Sequence, residues 1–328
     1  MNAAAAAPAG ADEPQVALCT ITDARYHLAV YTLIASLRSQ GMDDAICVLG
    51  VGLDAPQQRL LEQFPDVVVA PGLAANLRNP AARKGEALLA TAERFPDATY
   101  ITLLDGDCVA TGDFASAFRP SGTGFFGRMK SPDEDAMVFR TRYAAGEATG
   151  SVPRSILATW RTDVGERDQP RITNTFTGGN LIVHRDALPF VRRWQEQIDR
   201  ILPAADRGSH DQTSHAYSQV DESVLNSLLA FAHDVPAIGR HALDADPRAY
   251  LAHLGPGKPR PWVCWRWDRV RYYRPVRSAL RWARRGGYAL PALPWSYRGW
   301  TLPAVYAVAA AEGLARWAWM SWKRLRGR

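Results

Sequence analysis

Between Val16 and Leu104 four short apolar runs, VALCTIT, AICVLGV, DVVVAPG and TYITLL, alternate with segments whose apolar residues recur at helical spacing. Runs this short, apolar on both faces and rich in β-branched residues, read as strands buried on both sides. Parallel strands need crossover connections, and helices between strands supply them. The alternation therefore predicts an α/β fold, a Rossmann-like, mostly parallel sheet flanked by helices on both faces. The intervening helices are expected over Tyr26 to Gly41, with Gly41 as the terminating glycine, over Pro56 to Phe64, opened by Asp54 and Pro56, and over Lys84 to Phe95. Ligands on such a sheet gather beyond the carboxyl ends of its strands. There this chain puts Asp23 and, after the fourth strand, Asp105-Gly106-Asp107.

Farther along the pattern is less regular. Residues 121 to 170 are rich in Gly, Pro and charge and read as irregular structure bordering an acceptor. TFTGGNLIVHRDAL reads as a loop, a strand and the start of a helix carrying FVRRWQEQI, its two glycines implying close approach of the backbone to something. DESVLNSLLAFA reads as an amphipathic helix with an acidic first turn, and HLGPGKPRPW as a Gly/Pro loop running from His253 to Trp262. No internal repeat is visible. Composition changes sharply near Trp262, where a boundary is expected.

With 47% apolar and 22% charged residues in 328, the chain is neither disordered nor polytopic in character. Its four cysteines, Cys19, Cys47, Cys108 and Cys264, are scattered singly, as reduced, packed thiols are. The leader, residues 1–14, lacks a basic start and an apolar stretch of signal-peptide length. A disordered leader and a cytoplasmic location are therefore expected. The net charge of +6 hides a division: residues 260–328 carry fifteen Lys/Arg against Asp268 and Glu312, a net of +13 that leaves −7 for the rest. Nine of the eleven tryptophans lie in the same segment. Cations interleaved with indoles suit an anionic membrane surface, with nucleic acid as the other polyanion and a helical subdomain packed on the core as the alternative. The terminal run holding Trp317, Trp319 and Trp322 with Lys323, Arg324, Arg326 and Arg328 is interrupted by Glu312, Gly313 and Arg316, which favours a helix lying in the interface over one spanning the bilayer.

Asp105 and Asp107, separated by one glycine behind a buried strand, can face a single hard cation, and Gly106 lets a diphosphate lie close to the backbone; a solvated turn is the bland alternative. Read in context, RKGEALLATAERFPDATYITLLDGDCVATGDF, DESVLN and HLGPGK resemble retaining glycosyltransferases of the GT-A fold. The resemblance is to the family 8 type, which includes bacterial lipooligosaccharide galactosyltransferases and glycogenin, and it runs from Val16 to Trp262. It implies a divalent ion, Mn²⁺ or Mg²⁺, on Asp105, Asp107 and His253, with Gly255, Gly257 and Lys258 around the diphosphate of a UDP-sugar. The chain departs from the pattern in reading GKPRPW, with an Arg-Pro insertion before the tryptophan. Asp23 and Tyr26 match the base-binding positions, against the alternatives of an N-cap and a packed ring. Arg83 and Lys84 match a basic donor contact, or are helix-start charges. Thr177, Gly178, Gly179 and Asn180 stand loosely for a sugar-contacting stretch.

Asp221 and Glu222 occupy the place where the family has Asp-Gln. By that resemblance Asp221 grips sugar hydroxyls, and Glu222 either stabilises oxocarbenium character or attacks to form a covalent intermediate. Favourable negative charge at a helix N-terminus explains both equally well. The resulting expectation is a retaining glycosyltransferase domain over 15–262 and a basic, Trp-rich, membrane-associating region over 263–328. The enzyme would sit peripherally on the inner face of a bacterial cell membrane, act on a glycolipid or polysaccharide acceptor, and bind no nucleic acid. Two rivals remain: a sugar-phosphate nucleotidyltransferase, which usually has a Gly-rich basic loop where this chain has TITDARYH, and a non-catalytic, membrane-tethered binding module.

Overall fold

The computed structural model describes residues 15–71, 80–112, 114, 121–130, 152–202, 215–217, 219–239, 250–253, 273–294, 297–298 and 302–326. The four expected strands are present as β1 (Val16–Asp23), β2 (Ala45–Val51), β3 (Val67–Pro71) and β4 (Tyr100–Leu103). Helices α1 (His27–Ser39), α2 (Ala55–Glu62) and α3 (Lys84–Arg94) lie between them. Local chemistry sets the helix ends. Helix α2 opens with a reciprocal box in which Asp54 accepts from the Gln57 N–H while Gln57 accepts from the Asp54 N–H. Helix α1 closes as the Met42 N–H reaches the Leu37 carbonyl and the Gly41 N–H reaches Arg38, with Gly41 at φ +75°.

Strands β5 (Cys108–Ala110), β6 (Phe125–Phe126), β7 (Leu181–His184), β8 (Ile238–Gly239) and β9 (Leu251–His253) follow. The main sheet runs β3-β2-β1-β4-β7-β6-β8, and among the described strands only β7 opposes the rest. Strands β5 and β9 form a separate antiparallel pair. Alternate residues of β1 serve opposite layers, as the two-residue period of a strand requires. Ala17 and Cys19 face an apolar layer built with α3 and with α4 (Arg154–Val164), α5 (Leu188–Ile201) and α6 (Val220–Phe231). Val16 and Leu18 face a second layer with α1 and α7 (Tyr273–Arg285). Cys19, Cys47 and Cys108 are free and buried, as expected of packed thiols; Cys264 lies outside the described residues.

Two stretches differ from expectation. Helix α4 lies in the segment read as irregular: Ile156, Leu157 and Trp160 recur at helical spacing and bury one face, and Gly165 ends the helix at φ +72°. The surrounding Gly, Pro and charge masked this short period. Helix α6 is not amphipathic, because every one of its residues is buried, including Ser223, Asn226 and Ser227. It runs between α4, α5 and the Thr175–Gly178 segment, so no side faces water.

The expected boundary at Trp262 falls outside the described residues, as does the leader. Helix α7, beyond that boundary, belongs to the core: Val276, Ala279, Leu280 and Ala283 complete the layer around Tyr31, whose hydroxyl donates to the Ala289 carbonyl at 2.9 Å. Helix α8 (Leu302–Arg326) begins buried at Val305 and Ala309 against Tyr273. Its later turns expose Leu314, Trp317, Trp319 and Trp322. No helix among the described residues is long and apolar enough to cross a membrane.

Candidate active site

Strand β4 ends at Leu103, and the chain turns at once: the Cys108 N–H donates to the Asp105 carbonyl, so the two acids sit on a tight loop between β4 and β5. Gly106 is required there by packing. A Cβ would lie 2.7 Å from Val30 Cγ2 and 2.8 Å from the Ile21 carbonyl, both parts of the β1–α1 unit. Strand β5 then pairs with β9 so that Cys108 faces His253. That register delivers the imidazole to Asp107, with Nε2 2.9 Å from Oδ1 across 146 residues of sequence. Burial by itself would raise the Asp107 carboxyl, but the hydrogen bond from His253 outweighs it and holds the group below its ordinary range. In the imidazole burial works downward, and the Asp107 and Asp105 carboxylates override it and raise the pKa.

Ligand atoms of Asp107, Cys108 and His253 lie within 4.8 Å of one another. The carboxylate and the imidazole suit a divalent cation, whereas burial and the two neighbouring carboxylates push the Cys108 thiol up and keep it protonated, a packed group more than a ligand. Asp105, the third expected ligand, is turned the other way, its Oδ1 3.0 Å from the Lys84 ammonium. Lys84, the first residue of α3, also reaches Asp221 Oδ2 at 2.8 Å and donates to the Gly178 carbonyl at 2.9 Å. Burial disfavours this ammonium, but Asp105 and Asp221 prevail and hold its pKa above the ordinary lysine value. Its three N–H donors thus match three acceptors. Arg83 serves the periphery, pairing with Glu86 and with Asp199 of α5.

The two glycines of TFTGGN approach the chain's own carboxylates. A Cβ on Gly179 would come 2.6 Å from Asp105 Oδ2, and one on Gly178 would come 3.0 Å from Glu222 Cβ. Asn180 Oδ1 accepts the Asp105 N–H at 3.2 Å, fixing the loop to the β4 end. In the first turn of α6, Glu222 Oε2 accepts the Gly178 N–H at 3.0 Å, and Oε1 pairs with the Lys130 ammonium. Burial pushes the Glu222 carboxyl up, with Lys130 and the Gly178 N–H working against that shift.

Asp23 and Tyr26 lie at the same sheet edge, because β1 is the parallel neighbour of β4. Asp23 accepts the N–H groups of Arg25 and Tyr26 at 2.8 and 2.9 Å, turning the chain into α1, and Tyr26 is the exposed N-cap residue rather than a core ring. Gly255, Gly257 and Lys258 lie outside the described residues. Sequence reasoning missed three contributors: Lys130, Trp194, whose indole N–H donates to the Asp221 carbonyl, and Asn226, which bonds both peptide groups of Phe176 and the Glu222 carbonyl. Asn226 was visible as a lone amide in an apolar run, four residues after Glu222. Lys130 carries no such signal.

No family model matches the chain, and no curated protein matches it. Among solved structures, that of the bifunctional glycosyltransferase WbbM shares the fold at TM-score 0.50 and 11% identity, the match covering 84% of this chain and 51% of that one. The chain thus spans about half the length of WbbM. Galactosyltransferase LgtC, solved with donor and acceptor sugar analogs, aligns at TM-score 0.43 and 14% identity over 86% of this chain and 99% of its own. GlyE of Streptococcus pneumoniae TIGR4, a glycosyltransferase, aligns at 0.44 and 14% over 85% and 66%. What the chain shares with WbbM is the fold, a mostly parallel sheet covered by helices on both faces.

Proposed function

We propose that the chain is a metal-assisted glycosyltransferase taking a sugar from a nucleotide diphosphate donor, a UDP-sugar, with retention. The observation that carries the reading is the convergence of Asp107 and His253 at the carboxyl edge of the parallel sheet, beside a buried Lys84–Asp221 pair. Asp107 and His253, with Asp105 released from Lys84, would hold Mn²⁺ or Mg²⁺. When bound, that ion supplies positive charge for the leaving diphosphate.

The chain's own residues do the rest. Asp23 and Tyr26 receive the base at the end of β1, and Arg83 adds positive charge at the donor end of α3. Gly106 seats the DGD loop against β1 and α1 and is assigned by resemblance to the diphosphate, and Gly178, Gly179 and Asn180 are assigned by resemblance to the sugar, while Asp221, held by Lys84, orients its hydroxyls. Glu222 faces the same centre. Gly255, Gly257 and Lys258 are assigned to the diphosphate by resemblance.

The acceptor is proposed to be a glycolipid or polysaccharide presented at an anionic membrane surface, which the exposed Trp317, Trp319 and Trp322 and the basic residues of α8 would meet on the cytoplasmic side. The direct test is UDP-sugar hydrolysis or transfer with and without Mn²⁺. Metal-dependent turnover that disappears in Asp107→Ala with the fold retained supports the reading. No turnover with any nucleotide sugar, or full turnover in Asp107→Ala, removes it. Vesicle flotation, weaker with salt and lost in a triple Trp→Ala variant of α8, tests the membrane part separately.

A further inference from the structure

Gly178 is gripped at both ends of its residue: its carbonyl accepts from Lys84 at 2.9 Å, and its N–H donates to Glu222 at 3.0 Å. Each grip is backed by an ion pair, Lys84 with Asp105 and Asp221 on one side and Lys130 with Glu222 on the other. Lys130 arrives on a short ladder: its own N–H donates to the Thr175 carbonyl at 2.7 Å, Thr177 donates back to Arg128 at 2.8 Å, and Met129 bridges Phe176. Asn226 clamps Phe176 from the other side. The loop leading into Gly178 is thus fixed from both flanks.

Both carboxylate oxygens of Glu222 are already engaged, one by an ammonium and one by a peptide N–H. Its side chain is 9% exposed and that of Lys130 10%, so water competes little for either. One lone pair on each oxygen is still open, but the ammonium and the peptide N–H draw charge from both oxygens and hold the carboxylate toward the Gly178 turn, which weakens it as a nucleophile and suits it to positioning.

We propose that Lys130 and Glu222 act as one positioning pair for the reaction proposed above, locking the Gly178–Gly179 turn against Asp105, and that Glu222 forms no bond to the sugar. Lys130 is the partner that makes a carboxylate tolerable at this place. The pair sets the geometry of the turn that meets the donor sugar, while Asp221 remains the acid facing its hydroxyls. The inference rests on that functional reading for its kinetic test and stands apart from it in its stability test.

The test is a cycle of Lys130→Met, Glu222→Gln and the double variant, with Lys130→Arg as the charge-keeping control. Each is measured for kcat, donor KM and thermal midpoint. A positioning pair predicts opposite signs. Glu222→Gln lowers kcat in the wild-type background and raises it by at least ~10-fold in the Lys130→Met background, because there it removes a stranded buried charge. Lys130→Arg stays within ~5-fold of wild type in kcat, and the singles change kcat far more than KM. A nucleophile cannot give that sign, since removing it lowers kcat in either background. The thermal midpoint follows the same signs in a folded protein whether or not a donor is turned over. A wild-type protein inactive on every nucleotide sugar therefore removes the proposed function and leaves the pair to be judged by unfolding. Loss of kcat by Glu222→Gln in both backgrounds, wild-type kcat in Lys130→Met, or additive midpoints each overturn the inference.

Discussion

His253 and Asp107 stand 146 residues apart in sequence and 2.9 Å apart in space, and the strand pair β5–β9 brings them together. The DGD loop is therefore not a free-standing motif. Its second acid is completed by a residue from the far end of the fold.

That contact has a pH signature in metal-free protein. The His253 pKa is raised, so its contribution to stability is present below the ordinary histidine value and is lost as pH climbs through the raised one. The Asp107 pKa is lowered, so its contribution is present above the ordinary carboxylate value and is lost as pH falls through the lowered one. The pair therefore stabilises between those limits. With the imidazole side chain 46% exposed the effect is small, about 1 kcal/mol or less. Urea titrations across pH in the presence of a chelator should show this plateau in wild type and its loss in His253→Asn. An unchanged profile in the variant would contradict the assignment.

Lys84 is the keystone of the acidic cluster. Lys84→Met leaves the Asp105 and Asp221 carboxylates without their shared cation in a site where Asp221 is only 9% exposed. Breaking a buried pair from one side costs about 3–5 kcal/mol. Equilibrium denaturation should show a loss of that order, and a loss below about 1 kcal/mol would mean the ammonium is not the partner described.

At Gly179 the crowding is on an oxygen, so the expected effect is on ligation more than on folding. In Gly179→Ala the new methyl meets Asp105 Oδ2 at 2.6 Å and must displace it. Mn²⁺ affinity should fall by at least ~10-fold with a thermal midpoint close to wild type, since outer contacts of a metal site tune affinity on that scale. Equal affinity would show that Asp105 takes no part in holding the ion.

Much of the fold was legible because the first 110 residues obey two clean periods, and strand β2 matches its predicted bounds residue for residue. The acids at the sheet edge followed from the same rule that puts ligands beyond strand ends. Lys130 was not legible, because a single lysine in a Gly/Pro-rich stretch has no period to place it, and only the ladder to Thr175 and Phe176 reveals its partner. The turning of Asp105 toward Lys84 was hidden as well. Spacing in DGD says that both acids are at the loop, and a rotamer decides which of them faces the histidine. Helix α6 misled for a related reason: its Ser and Asn residues suggested a wet face, yet Asn226 meets protein carbonyls and an N–H instead of water.

If Asp107 and His253 jointly hold a divalent ion at the sheet edge, Mn²⁺ binding followed by electron paramagnetic resonance with UDP present will depend on both side chains. One Mn²⁺ is expected in wild type, with affinity reduced by at least ~10-fold in Asp107→Ala and in His253→Ala, both remaining folded. Mn²⁺ bound equally well by both variants, or not bound by the wild-type protein at all, would contradict it.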